Sequence, residues 1–418
     1  MTTRWRIPHP SVDQRLVLGE EARDRTPLSS HRGWAPAMDR PDPVALLEEQ
    51  DATREPDLVP VRHGRMMLSP FTFYRGAANF TIAGRNNGFA TADTRTATRA
   101  SVAAYREAMA GFAAMGTMEI WYAHLAEDQV PRVLDDAADA SRTRKGAKAA
   151  KQAAKTARKE AAKARTRDSL QALSKLAEQV DGQYRIVSRP PIIVPARDLE
   201  ATYGIPRDKM EGLLRDQFRA YRATLRDDHR QLLERFEPVD MARKVVGVGS
   251  VGTLAYIVLL QGRDQHDPLF LQLKEASASV LEDHLPASRY RHHGERVVHG
   301  QRMMQAASDI YLGWTQAELP ALHHFYWRQL RDMKGSPDVE AMVPATLAFY
   351  GRACGWTLAR AHARSGDPIA IAAYLGESDQ FDRSMADFSE RYADQNERDH
   401  QAFVKAIHSG RLQALEGV

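Results

Sequence analysis

Three glycines near the middle of the chain, Gly247, Gly249 and Gly252, restrict its possible folds more than any other feature. They form the pattern G-x-G-x-x-G, which occurs in two unrelated kinds of phosphate-binding fold, so the flanking residues have to distinguish between them. In the dinucleotide-binding fold a helix follows the glycines. Here residues 253–260 are rich in β-branched and aromatic residues and contain no helix-start signal, which predicts a returning antiparallel strand.

A third apolar run, residues 269–273, follows a polar turn and ends at Lys274. Protein-kinase-like nucleotide sites have the same order: a glycine-rich hairpin, then a strand, then a lysine that pairs with the phosphates. The alternative is an ordinary hairpin turn, because a single G-x-G-x-x-G is a weak motif. The residues that the pattern predicts to bind the phosphates of ATP are Gly247, Gly249, Ser250, Gly252 and Lys274.

The segment after Lys274 contains the candidates for an acidic partner of this lysine. Residues 294–309 have apolar side chains at helical spacing, and in a kinase-like lobe this helix carries such an acid. Glu295 is the best-spaced candidate and Gln301 a weaker one, with surface exposure the alternative for both. Residues 324–335 are then expected to form the strand that leaves this lobe.

Length and composition indicate a globular protein. A chain of 418 residues with 43% hydrophobic and 27% charged residues can form two or three domains. It has no run of about 20 apolar residues that could span a membrane, and residues 1–10 lack the apolar core of a secretory signal. The single cysteine, Cys354, excludes an internal disulfide and a multi-cysteine metal site. We therefore expect a cytoplasmic protein, and no metal ligands are predicted.

The positive charge of the chain is confined to one segment. Residues 141–167 contain eleven Lys or Arg and one Glu, a local charge of +10, which leaves −6 for the rest of a chain whose net charge is +4. Alanines fill most of the gaps, and the basic residues recur every three or four positions, which predicts a projecting helix. The segment from Arg142 to Arg167 could bind nucleic acid or another polyanion. A solvated spacer helix is the alternative, because no aromatic residues are interleaved for base stacking.

Helical periodicity organises the rest of the chain. It predicts helices over residues 92–116, 207–236 and 342–363. The expected fold class is α+β, with a protein-kinase-like small antiparallel sheet lobe, a mainly helical remainder and a projecting basic helix. The expected segments are a loosely ordered lead-in with one short helix (1–60), a helical segment (61–140), the basic helix (141–180), a connector and helix (181–240), the nucleotide lobe (241–335) and a helical region (336–418).

Several multi-residue phrases, in their order along the chain, resemble the bacterial family known as domain of unknown function 2252. The phrases are residues 69–78, 247–253, 271–276, 296–302, 326–334, 361–367 and 392–395. The resemblance extends over residues 56–410. It implies a fold related to aminoglycoside phosphotransferases and protein kinases, with the catalytic motifs placed before the glycine-rich loop.

The sequence departs from this family directly after Ala78. Members usually continue with a long segment that holds Gly-Asp-x-His-x-x-Asn and Asn-Asp-Phe-Asp-Glu motifs, which resemble a kinase catalytic loop and a metal-binding aspartate. Here Ala78 is followed at once by residues 79–88, so segment 61–140 would contain a truncated catalytic region. Because phosphoryl transfer depends on bound metal and on positioning, the loss implies little turnover.

Three hypotheses remain open at this point. The chain is a kinase-like protein that binds ATP weakly without appreciable turnover, through natural deletion or because the sequence records a defective gene. It is an active ATP-dependent phosphotransferase whose acids are not identified. Or it is an interaction protein that binds polyanions through the basic helix. Mg²⁺ binding, the substrate and the oligomeric state are not determined. The aspartates that lie in no metal-loop pattern, and so are not predicted to replace the missing acids, are Asp367, Asp379, Asp394 and Asp399.

Overall fold

The computed structural model describes residues 9–74, 80–124, 151, 154–155, 158–159, 161–166, 168–199, 207–245, 247–318, 321–330 and 337–417. The first helices are α1 (Val12–Arg25), α2 (Pro43–Asp51), α3 (Val59–Met66), α4 (Pro70–Phe73), α5 (Phe80–Asn86), α6 (Thr91–Ala113) and α7 (Thr117–Tyr122). The later helices are α8 (Ser169–Leu176), α9 (Arg207–Ala223), α10 (Asp227–Leu233), α11 (His293–Met304), α12 (Pro344–Ser365), α13 (Pro368–Leu375) and α14 (Gln380–His408). Short 3₁₀ helices occupy Leu28–Arg32, Pro56–Leu58, Ala196–Asp198 and Val280–Asp283.

The strands form two antiparallel sheets. Strands β1 (Ala177–Val180) and β2 (Gln183–Ile186) make a separate hairpin, closed by Asp181 and Gly182, both of which have positive φ. The larger sheet has six strands in the order β3-β4-β5-β6-β8-β7. Its strands are β3 (Ile193–Pro195), β4 (Glu237–Lys244), β5 (Ala255–Gln261), β6 (Pro268–Glu275), β7 (Gly313–Glu318) and β8 (Leu322–Gln329).

The antiparallel hairpin predicted around the glycines is confirmed. Strand β4 pairs with β5, with Ala242 opposite Ile257, and β5 pairs with β6, with Ala255 opposite Lys274. The chain after Gly252 enters strand β5 and not a helix, which excludes a dinucleotide-type unit at this position. The α+β class, with an antiparallel sheet and a mainly helical remainder, is therefore confirmed. The likeness to protein kinases stays a prediction.

The two faces of the larger sheet enter different hydrophobic clusters. On β6, Leu271 and Leu273 pack with α9 and with Trp327, whereas Phe270 packs with Leu173 of α8. Because successive side chains of a strand point to opposite faces, the two clusters lie on opposite sides of the sheet. We call the side of Leu271 and Leu273 the α9 face, and the side of Phe270 the α8 face.

Helices α6 and α12, both predicted from their periodicity, pack closely against each other. A Cβ on Gly355 of α12 would lie 2.1 Å from the carbonyl oxygen of Ser101 on α6, so this contact requires glycine. Ion pairs join α6 to α14, among them the pair of Arg106 with Asp382 at 2.8 Å. These three helices form the core of the helical part of the molecule.

The expectation of a single short helix in residues 1–60 is wrong. The structure has the predicted helix α2 and also helix α1, which begins with a capping box of Ser11 and Gln14. Helix α1 contacts α13 through Gly19, where a Cβ would lie 2.2 Å from the carbonyl oxygen of Ala370. This contact is made through small residues, and Leu16 is 39% exposed. Helix α1 therefore buries no stripe of large apolar side chains, which is the feature that a helical period would reveal in the sequence.

Two other predicted helices are interrupted. Residues 207–236 form α9 and α10 with a break at Thr224, whose hydroxyl donates to the carbonyl oxygen of Tyr221 and accepts from the N–H of Trp314. Such side-chain bonds to the backbone compete with the helix. The basic helix predicted over residues 141–180 does not extend that far, because α8 begins after its own N-cap, Asp168, and residues from Ala177 form β1.

The basic segment lies mostly outside the described residues, as do positions 75–79 and 331–334 of the family-like phrases. The described positions between 151 and 165 are helical, and Lys155, Arg158 and Lys159 are exposed. Ala154 is fully buried and Ala164 is 9% exposed. An isolated helix would expose these alanines, so other residues of the chain cover this side of the helix, and its projection from the body stays a prediction. Within the described chain, none of the helices has the length and hydropathy needed to cross a membrane.

Candidate functional site

The glycine-rich loop connects β4 to β5. Gly247 and Gly252 have φ angles of 70° and 86°, in the left-handed region that glycine adopts without strain. At Gly252 an added Cβ would also lie 2.9 Å from the Cβ of Arg54. Two of the three glycines are therefore explained by backbone conformation, independently of any ligand.

The loop is held against the N-terminal helices. Val248 packs in the cluster that contains Phe403, and Val251 packs in the cluster that contains Leu58 and Val61. Two arginines and one backbone amide occupy carbonyl oxygens of the loop. Their bonds run from Arg65 to Gly247 (2.7 Å), from Arg54 to Val251 (2.6 Å) and from the N–H of Glu55 to Gly252 (2.8 Å).

Lys274 lies one strand away from the end of this loop. It is directly opposite Ala255, the first residue of β5, and on its other side it is opposite Tyr326 of β8. Strand alternation places its side chain on the α8 face, two residues beyond Gln272. Burial, and then the positive charge of Arg328, lower the pKa of the Lys274 ammonium. Within the described residues its ammonium group forms no hydrogen bond and no ion pair.

Helix α11 begins close to the same face. The ring of His324, two residues before Tyr326, stacks on that of His292 at a centroid distance of 4.2 Å. The N–H groups of His293 and Glu295 donate to Nδ1 of His324 and of His292. Burial lowers the pKa of both accepting imidazoles, which favours the neutral form that can accept these bonds.

Glu295 does not pair with Lys274 in this arrangement. Its carboxylate lies 3.7 Å from Nε2 of His299, one turn further along α11, and its side chain is 32% exposed. Gln301, the weaker candidate, lies in the same helix beyond His299 and is partly buried. The structure therefore brings the glycine-rich loop and Lys274 together, while the acidic partner stays unassigned.

Sequence reasoning missed the carboxylate that closes the end of the loop, Glu275. Its Oε2 accepts from the N–H of Leu254 at 3.1 Å, and its Oε1 bonds to Nδ1 of His323 at 2.8 Å. Burial, followed by the charge of Arg62, lowers the pKa of Arg54, and Glu275 acts on Arg54 in the opposite direction. The position of Glu275, directly after Lys274, was visible in the sequence, but its contact with the loop depends on the β5–β6 register.

The four aspartates that could have replaced the missing acids are engaged elsewhere. Asp367 caps α13 by accepting from two backbone N–H groups. The other three form ion pairs with arginines from distant parts of the chain: Asp379 with Arg99, Asp394 with Arg85 and Asp399 with Arg40. In the portion of the chain that the structure describes, no three His, Cys, Asp or Glu side chains are placed to bind a metal together.

The fold and site define an α+β protein with a glycine-rich loop and a partly buried lysine on neighbouring antiparallel strands. The chain belongs to the family of uncharacterised proteins conserved in bacteria described as DUF2252, whose model matches residues 54–81 and 77–406. The two matched parts overlap at residues 77–81, which include Ala78, the position after which the sequence is expected to depart from the family. Neither the curated proteins nor the solved structures contain a significant match to the chain.

Proposed function

We propose that this protein is a kinase-like phosphotransferase homologue that binds ATP weakly and turns it over negligibly. The observation that carries the proposal is Lys274, a partly buried cation without a bonding partner in the described part of the chain, beside the glycine-rich loop. A cation removed from water is unfavourable unless an anion compensates it, and the phosphates of a nucleotide would supply that charge. Arg328 on the same face adds positive potential, which favours a multiply charged ligand.

We expect low turnover because the aspartates considered as catalytic acids are engaged in other contacts. Phosphoryl transfer requires carboxylates that hold Mg²⁺ and orient the attacking group. The aspartates considered as replacements cap a helix or bind arginines, so recruiting one would cost the contact that it makes now. Mg²⁺ would therefore have to be held mainly by the nucleotide, which weakens affinity as well as rate.

The test is calorimetric titration with ATP, with and without Mg²⁺, followed by a hydrolysis assay. The variants are Lys274→Ala and, as a matched control, Lys405→Ala, which removes an exposed lysine of α14. We expect weak binding to the wild type and to Lys405→Ala, at least about tenfold weaker binding to Lys274→Ala because a charge-assisted contact is lost, and no measurable hydrolysis.

The lowered pKa of Lys274 supplies a second readout. Only the charged ammonium pairs with phosphate, so wild-type affinity should fall as pH rises toward the ordinary lysine value of 10.5, starting earlier than for an exposed lysine. Lys274→Ala should lack this decline. Mg²⁺-dependent turnover that Lys274→Ala abolishes would instead establish an active phosphotransferase. Equal ATP affinity in both variants would exclude Lys274 as a nucleotide ligand.

We also propose polyanion binding by residues 142–167, because the described basic side chains Lys155, Arg158 and Lys159 are exposed on a helix that buries Ala154 and Ala164. Such binding should weaken steeply with salt, since it is driven by counterion release. The experiment compares retention on RNA and DNA of the wild type and of a variant with Gln at every Lys and Arg of this segment. Unchanged retention in the variant would rule the proposal out.

A further inference from the structure

A cavity of about 670 Å³ lies on the α9 face of the larger sheet, on the side away from Lys274. Helix α9, the β1–β2 hairpin and strand β4 line it, and it is partly open to solvent. Its volume is within the range of about 300–1,000 Å³ that is usual for small-molecule sites. The apolar side chains that line it are Val180, Ala196, Phe218, Pro238, Val239, Met241, Val258 and Trp327.

One carboxylate and one arginine at this cavity already satisfy each other. Asp240 accepts through Oδ2 from Arg197 at 3.0 Å and from the N–H of Ile186 at 2.8 Å, and through Oδ1 from the N–H of Met241. The other terminal nitrogen of Arg197 donates to the carbonyl oxygen of Ile186. Asp240 and Arg197 therefore form a fixed, neutral part of the wall.

Two further arginines leave positive charge at the cavity. Among the residues that the structure describes, Arg185 donates only to neutral acceptors, the carbonyl oxygen of Val239 and the side chain of Gln183, each at 3.1 Å. Arg215 of α9 forms no hydrogen bond or ion pair with any residue that the structure describes. With Asp181 at the tip of the β1–β2 hairpin as the other acid of the lining, the cavity has one positive charge in excess.

We propose that this cavity binds a small carboxylate with an apolar body, such as a medium-chain fatty acid. The floor of Phe218, Met241 and Trp327 would bury the apolar part, and the guanidinium of Arg215 would bind the carboxylate through two parallel hydrogen bonds. A single excess charge matches a monoanion better than a polyphosphate. The site is independent of the nucleotide proposal, because it lies on the opposite face of the sheet from Lys274.

The experiment measures binding of decanoate below its micellar concentration, by calorimetry and by the shift in melting temperature. Decanol serves as the uncharged ligand of the same length. The variants are Arg215→Gln and, as the matched control on the same helix, Arg219→Gln, whose side chain is 79% exposed and pairs with Asp216. We expect decanoate to bind the wild type and Arg219→Gln equally. Arg215→Gln should bind at least about tenfold more weakly, the loss expected for a hydrogen bond to a charged group.

A third variant, Ala196→Phe, tests the cavity itself by filling it from the partly buried rim. It should weaken decanoate binding while its circular dichroism stays that of the wild type; if it misfolds, the two arginine variants alone decide. The proposal is overturned if decanoate does not bind, if decanol binds as tightly as decanoate, or if Arg215→Gln and Arg219→Gln bind decanoate equally. None of these outcomes affects the ATP titration, so the two proposals fail separately.

Discussion

A buried charge is stable in a fold only when something compensates it, and two residues of this chain differ in that respect. Asp382 is 2% exposed and accepts two hydrogen bonds from Arg106, so its charge is balanced inside the protein. Lys274 has a lowered pKa and no bonding partner among the described residues. The charge of Asp382 is therefore compensated within the protein, whereas the compensation of Lys274 is the role that we propose for the nucleotide.

At the residue scale this contrast predicts the effect of removing a buried carboxylate. Asp382→Ala should lower the free energy of unfolding by about 3 kcal/mol, because Arg106 is left largely buried and uncompensated. Asp379→Ala is the matched control on the same helix end: its carboxylate is 45% exposed and pairs with Arg99, so we expect a loss of at most about 1 kcal/mol. Urea unfolding followed by circular dichroism measures both. Equal losses in the free energy of unfolding would mean that burial does not make the pair of Asp382 with Arg106 more important for stability than the exposed pair.

At the scale of helices and strands, the sequence predicts best those elements that bury one continuous apolar face. Helices α6 and α12 and strands β5 and β6 have such faces, and their periodicity locates them within a few residues. Helix α1 was missed because its contact with α13 is made by Gly19 and not by large apolar side chains. The Ser11–Gln14 capping box was the signal that could have located it.

The β1–β2 hairpin was missed although its turn has a recognisable sequence. Asp181 and Gly182 both have positive φ, the conformation that an Asp-Gly pair favours in two-residue hairpins. The spacing of the basic residues before it predicts a helix up to residue 180, which includes strand β1. Because the hairpin forms part of the wall of the cavity on the α9 face, missing it also concealed that site.

The sequence predicts that the glycine-rich loop and Lys274 of the candidate nucleotide site lie close together, but not the contacts around them. The loop and Lys274 lie on neighbouring strands of one antiparallel unit, so their proximity follows from local sequence alone. The contacts of Arg54, Glu275 and Glu295 depend on how distant segments pack. Glu295 lies in the first turn of α11, where its carboxylate is directed toward His299, and spacing along the sequence does not determine that direction.

At the scale of the whole molecule, the glycine-rich loop joins the sheet to the helical part through two clusters, one around Val251 and one around Val248. Val248 of the loop packs in the same cluster as Leu412 and Phe403. Beside this cluster, His63 of α3 is buried between Asp51 and the carbonyl oxygen of Gln413. Residues 411–415 therefore support α3, and α3 supports the loop through Arg65.

This connection predicts that a substitution far from the loop in sequence will loosen it. Leu412→Ala should lower the free energy of unfolding by about 2–4 kcal/mol, because it leaves a cavity in the cluster that contains Val248. Hydrogen exchange should accelerate both in α3 and in residues 247–254, since local opening spreads through packed neighbours. The control is Leu415→Ala, whose side chain is 44% exposed and whose loss should cost about 0.5 kcal/mol or less. If Leu412→Ala accelerated exchange in α3 but left the loop at the wild-type rate, the cluster that contains Val248 and Leu412 would not stabilise the loop.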